Sequence, residues 1–129
     1  MSSHPITSSP GILTIDLDAL ASNFCALRAA ASGDCAAVVK ANAYGLGVKE
    51  ISSTLVREGC KTFFVASIDE GIELRNLLPN HEICILNGLF PNSKMTFKRY
   101  NLVPVLVSLR EIEDWRDFCG ETSLPCCIH

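Results

Sequence analysis

The chain has 129 residues, 48% of them hydrophobic and 19% charged, with a formal net charge of −3. That composition suits one globular domain with a sizeable core and excludes a disordered chain. No Lys/Arg block offers a surface to nucleic acid or an anionic membrane, and no apolar run approaches the roughly 18–20 residues of a membrane helix.

Residues 1–11 read as a flexible tail, because Met1 to Pro10 is Ser/Pro-rich and has neither the basic start nor the apolar stretch of a secretory signal. The folded domain is expected over residues 12–129. Asp18 is placed to cap a first helix with Leu20, Phe24 and Leu27 on its buried side. The Asp16-x-Asp18 pair would face one way in an extended segment, as a metal or acid–base couple needs, but reads more simply as a helix cap and a surface carboxylate. Short apolar runs then recur at Ala36–Val39, Thr62–Ala66, Ile83–Leu86, Leu102–Val107 and Cys126–Ile128, with starts about 19–26 residues apart. Helical patterns separate them. Val48, Ile51, Leu55 and Val56 share a face, and Gly59 can end that helix. Ser67-Ile68-Asp69-Glu70 is a capping box with Ile72 and Leu78 behind it and Pro79 as a stop, and Ser108-Leu109-Arg110-Glu111 repeats the box ahead of Ile112 and Trp115. Lys94, Lys98 and Arg99 read as a solvated helix face, with Tyr100 beside them in a structural role.

Strands alternating with single-helix crossovers imply a parallel sheet, and strands apolar on both faces imply a sheet meant to be covered. A doubly wound sheet and a (β/α)8 barrel both fit. No Gly-x-Gly-x-x-Gly follows the first strand, which argues against a dinucleotide fold. A barrel of this kind takes about 250 residues, and the chain stops at His129 in its fifth strand. The expectation is the N-terminal half of a (β/α)8 barrel from a larger protein.

The seven cysteines are odd in number, irregularly spaced and lack Cys-x-x-Cys. They predict free, buried thiols in a reducing cytoplasm rather than disulfides or a zinc site. His4, His81 and His129 form no pair at metal-ligand spacing.

The segment with chemistry in it is Ala36-Ala37-Val38-Val39-Lys40-Ala41-Asn42-Ala43-Tyr44-Gly45-Leu46-Gly47. It puts a lysine at the end of the first strand, beside an expected dry interior that disfavours charge on the amine. A neutral amine is a nucleophile and condenses with an aldehyde such as pyridoxal phosphate. Reactive groups of parallel barrels gather at this C-terminal face. Tyr44 could reach a phosphate held there, and Gly45 and Gly47 permit a sharp turn. On the residues alone, Lys40 could equally be a solvated strand-end lysine and Tyr44 a rim aromatic.

Val38-Val39-Lys40-Ala41-Asn42-Ala43-Tyr44-Gly45-x-Gly47 resembles the pyridoxal-phosphate attachment signature of the alanine racemases. Thr14-Ile15-Asp16-Leu17-Asp18-Ala19-Leu20, with Asn23 and Leu27, is similar to that family's entry segment. Phe64–Gly71 and Ile83–Gly88 resemble its second and third strands, and Leu46 stands where many members carry His. The resemblance implies an isomerase interconverting L- and D-alanine, supplying D-alanine for peptidoglycan. Lys40 would hold pyridoxal phosphate as a Schiff base and act as the base toward D-alanine. Tyr44 would hydrogen-bond the cofactor phosphate, and Leu86 would pack near its ring. The opposite-face Tyr, from a C-terminal β-domain across a homodimer interface, and the substrate-binding arginine fall outside this sequence. The fragment alone is therefore expected to be inactive. The alternatives are a non-catalytic pyridoxal-phosphate carrier barrel and a related racemase of other specificity.

Overall fold

The structure, a computed structural model, describes residues 11–129, so the stretch read as a tail, with His4, lies outside the described residues apart from Gly11. The elements in order are α1 (Leu17–Ala30), β1 (Ala37–Val38), α2 (Lys40–Tyr44), α3 (Val48–Arg57), β2 (Thr62–Val65), α4 (Ile68–Leu77), β3 (Glu82–Ile85), α5 (Lys94–Tyr100), β4 (Val103–Leu106), α6 (Leu109–Cys119) and β5 (Cys127–Ile128). All five expected strands form, in a sheet ordered β1-β2-β3-β4-β5 with every neighbouring pair parallel. This order decides between the two candidate architectures. A doubly wound sheet reverses direction at a switch point, whereas a barrel adds each strand on the same side. The sheet is an open arc of the barrel kind.

Register assigns the two faces. Ala37 pairs with Phe63, Phe63 with Ile83, and Phe64 with Cys84. On one face Phe63, Val65, Ile83, Ile85 and Leu106 pack under Phe24, Ile51, Leu55, Leu74, Phe97 and Trp115 of the helices. Phe97 meets Trp115 edge-on at 5.8 Å and 74°. The other face carries a smaller cluster of Cys84, Val103 and Val105 against Phe64, Leu86 and Cys127. Val38 on that face remains 45% exposed. The strands are apolar on both sides, as read from the sequence, but only the helix-bearing side is a closed core.

Local signals explain most boundaries. Ser67 Oγ accepts from Glu70 N at 3.3 Å and Glu70 Oε2 accepts from Ser67 N at 3.3 Å, so the predicted capping box closes. Gly59, at φ +89, ends α3 as expected. Three expectations need correction. The cap of α1 is Asp16, not Asp18: its Oδ1 accepts from Asp18 N (3.0 Å) and Ala19 N (2.9 Å), and its backbone is extended as a cap requires. Leu27 is 65% exposed, because Arg28 docks the last turn instead, donating to the Glu58 carbonyl and lying 5.7 Å from the Phe24 ring centre. The second box is half formed: Ser108 Oγ accepts from Glu111 N, but the Glu111 carboxylate turns to other amides. The cysteines are all free, yet only Cys60 and Cys84 are buried and Cys126 is exposed.

Arg75 at the end of α4 stitches the opposite end of the sheet. It donates to five carbonyls: Leu78 (2.9 Å), Pro79 (3.1 Å), His81 (2.7 Å), Tyr100 (3.0 Å) and Asn101 (2.6 Å). Burial pushes its pKa down, and no carboxylate pairs with it among the described residues. Arg75→Ala orphans these acceptors and is expected to cost about 2–4 kcal/mol in urea denaturation. Lys should not rescue it, since an ammonium lacks the planar fork.

Candidate functional site: a lysine at the end of β1

Strand β1 is two residues long, and its last ladder bond is Val39 N to Phe64 O at 2.9 Å. The chain then turns left. Ala41, Asn42, Ala43 and Tyr44 all have φ between +52° and +56°, followed by Gly45 at +84° and Gly47 at +95°. α2 is thus a turn of left-handed helix, a conformation costing roughly 1–2 kcal/mol per L-residue. The sequence reading put the turn at the two glycines; it begins before them, at Ala41. Of the four, only Asn42 is a residue type that tolerates this region well, so the run is held by its contacts rather than by local preference.

Several bonds hold the turn. Ala43 N donates to Val39 O (3.0 Å), Gly45 N to Ala41 O (2.9 Å) and Gly47 N to Asn42 O (3.0 Å). Asn42 Oδ1 accepts from Val48 N at 2.8 Å and so caps α3, whose N-cap Gly47 has no side chain. Ala41 N donates to Glu70 Oε1 at 2.8 Å. Ala43 is buried. Asn42→Ala removes both the cap and the residue type suited to positive φ. A loss of about 1–2 kcal/mol is expected, measured as a shift in thermal unfolding.

Lys40 is half-buried and, among the described residues, its Nζ has no hydrogen-bond or ion-pair partner. Continuing the β1–β2 and β2–β3 registers puts Lys40, Ala66 and Leu86 in one row. The Lys40 and Leu86 backbones then lie ~10 Å apart, two inter-strand spacings. Val39 leaves the extended region (ψ 24°) and Lys40 opens α2, so strand alternation ends before Lys40, whereas Leu86 shares parity with Cys84 and belongs to the concave face. Leu86 is half-buried there against Cys84, Val103, Val105 and Cys127. Cys84 and Cys127 approach to 3.9 Å between sulfurs. Burial, then the Cys127 neighbour, pushes the Cys84 thiol far up, so it stays protonated and the surface beside Leu86 carries no charge from it. Tyr44 ends the same turn as Lys40 but is 62% exposed and shares no hydrogen bond with it. The structure thus places Lys40 and Tyr44 at the two ends of the left-handed turn after β1, with Tyr44 at the rim, and Leu86 on the concave face just past β3.

Two features escaped the sequence reading. Glu70 appeared only as a capping-box residue, and its reach across to Ala41 had no local signal. The left-handed run had only Asn42 and the two following glycines to mark it. Open grooves line Ser67, Ile72, Met95 and Tyr100, and also Leu89, Lys94, Glu111 and Phe118, among the helices. Neither includes Lys40, Tyr44 or Leu86.

A parallel arc of barrel type, with a lone half-buried lysine at the C-terminal end of its first strand, defines the class: part of a (β/α)8-type domain with its reactive face at the strand ends. The family model for the alanine racemase N-terminal domain matches residues 15–129. The chain belongs to that family. It is 47% identical over 121 residues to alanine racemase of Methylobacterium sp. (strain 4-46), covering 91% of this chain and 33% of that protein. It is 46% identical over 113 residues to alanine racemase of Acidiphilium cryptum (strain JF-5), covering 88% and 32%. The crystal structure of alanine racemase from Bartonella henselae with covalently bound pyridoxal phosphate superposes with a TM-score of 0.82 at 40% identity, covering 87% of this chain and 32% of that one. The chain spans about a third of the length of these relatives.

Proposed function

We propose that this chain carries the cofactor-binding lysine of an alanine racemase, which interconverts L- and D-alanine with pyridoxal phosphate and supplies D-alanine for peptidoglycan. The observation that carries the reading is Lys40: an amine without a protein partner among the described residues, at the reactive end of β1, in a chain of this family. The residues present fit the group. An unpaired amine can join an aldehyde carbon, the apolar Leu86 side chain offers packing to a ring, and the exposed Tyr44 hydroxyl is free to donate to a phosphate. When bound, pyridoxal phosphate supplies an electron sink for the negative charge left at the substrate Cα.

The chain's own residues then divide the work. Lys40 Nζ would hold the cofactor and, as a free amine, would take the α-proton from D-alanine and return it in the reverse direction. The left-handed turn keeps the Lys40 backbone fixed while the side chain changes partner. Tyr44 anchors the phosphate end at the rim. Leu86 and its neighbours keep water from the ring face. Racemisation needs a proton-transfer group on each face of Cα. We assign the second one, and the homodimer interface, to the part of the relatives' length that this chain does not match.

The test is direct. The full-length protein, supplied with pyridoxal phosphate, is expected to convert L-alanine to D-alanine at an ordinary enzymatic rate, about 1–10³ per second. The 129-residue chain alone is expected not to. Cofactor capture at Lys40 without racemisation by the full-length protein would refute the activity and favour the carrier reading.

A further inference from the structure

Two glutamates occupy equivalent places at the C-terminal rim of the sheet. Each lies three residues after a serine N-cap, Ser67 or Ser108. Each carboxylate spans two neighbouring strand ends. Glu70 Oε2 accepts from Ala66 N (2.7 Å) at the end of β2, and its Oε1 accepts from Ala41 N (2.8 Å) just past β1. Glu111 Oε2 accepts from Val107 N (2.6 Å) at the end of β4, and its Oε1 accepts from Leu89 N (3.3 Å) past β3. Gly88 is fitted to the second tie: it has φ +73°, and a Cβ there would come 2.6 Å from Glu111 Oε1. The same device is therefore built twice.

The two copies hold different cargo. Glu111 fixes an ordinary loop. Glu70 fixes the amide of Ala41, the residue directly after Lys40 and the first of the left-handed run. That amide has no other acceptor among the described residues. Without Glu70 it would be orphaned, and the run would lose the bond at its entrance. An unsupported left-handed run relaxes toward ordinary backbone regions. The peptide plane after Lys40 would rotate, and the direction of the lysine side chain with it.

We propose that Glu70 is a positioning residue for the cofactor lysine, holding the Ala41 amide and with it the peptide plane that sets the direction of the Lys40 side chain. The proposal rests on the reading of Lys40 as the pyridoxal-phosphate lysine. Glu111 supplies the internal control, because its loss damages the rim equally but leaves the Lys40 turn tied.

The experiment compares Glu70→Gln and Glu111→Gln in the full-length protein. Three quantities are read: melting temperature, amide exchange at Ala41 without cofactor, and the rate at which pyridoxal phosphate is captured on Lys40 under borohydride. Gln leaves one acceptor oxygen and turns an amide N–H₂ toward a donor, so at least one tie is lost. E70Q is expected to speed Ala41 exchange and slow capture, each by about tenfold or more, the effect of one charge-assisted bond. E111Q should lower the melting temperature comparably and leave both rates unchanged. Should E70Q prove too unstable, Glu70→Asp keeps the charge at the helix start but falls a methylene short of Ala41, with the same expectation. Equal slowing of capture by both variants, or a lower melting temperature in E70Q with capture unaltered, would overturn the positioning role. Absence of capture at Lys40 in the unaltered protein would overturn the cofactor reading itself, and this proposal with it.

Discussion

Lys40→Ala is expected to abolish covalent retention of pyridoxal phosphate and to lower alanine racemisation by at least about 10³-fold, because the proposed function gives one side chain both the attachment point and a proton-transfer role. The fold should tolerate the change. Lys40 is half-buried and makes no hydrogen bond or ion pair among the described residues, so its removal orphans nothing. Thermal unfolding should move by no more than about 0.5 kcal/mol, as for a surface substitution. Lys40→Arg should be as inactive, since a guanidinium stays protonated and cannot attack an aldehyde. Assays of racemisation and of cofactor retained through gel filtration check both. A variant that still racemised alanine within tenfold of the parent would remove Lys40 from the mechanism.

Phe63→Ala is expected to cause the largest loss of stability, about 3–5 kcal/mol. Phe63 is fully buried in the middle of β2, between Ala37 and Ile83, with His81 edge-on at 5.9 Å. Its ring lies on the helix-bearing face, within the main core cluster. Phe64, one residue on, points to the concave face and is only half-buried. Phe64→Ala in this chain should therefore cost distinctly less. Urea denaturation of the two variants ranks the faces. A Phe64 loss equal to the Phe63 loss would mean that the concave side is already a closed core.

The strand–helix alternation, all five strands, the α4 capping box and the Gly59 stop could be read in advance because each is written in a local pattern of three to eight residues. The Lys40 segment could be singled out for the same reason, through the residues on either side of it, and its role is the one proposed above. What the sequence left open was decided by long-range geometry. The choice between barrel and doubly wound sheet depends on which side each strand joins, and no window of residues encodes that. Asp16 displaced Asp18 as the cap because both carboxylates suit the role and only the entry of the chain into α1 selects one. Leu27 fell outside the core because Arg28 reached Phe24 and the Glu58 carbonyl first. Glu70 kept its capping function and gained a second one across 29 residues of sequence, visible only once β1 and β2 lie side by side.

One measurement bears most directly on the whole account: reduction of the cofactor-loaded, full-length protein with borohydride, followed by tryptic peptide mapping. The pyridoxyl label is predicted on Lys40 alone. Because the modified lysine resists trypsin, it should appear in a single peptide running from Ala29 to Lys49. Label on Lys49, Lys61, Lys94 or Lys98 with Lys40 unmodified would contradict it.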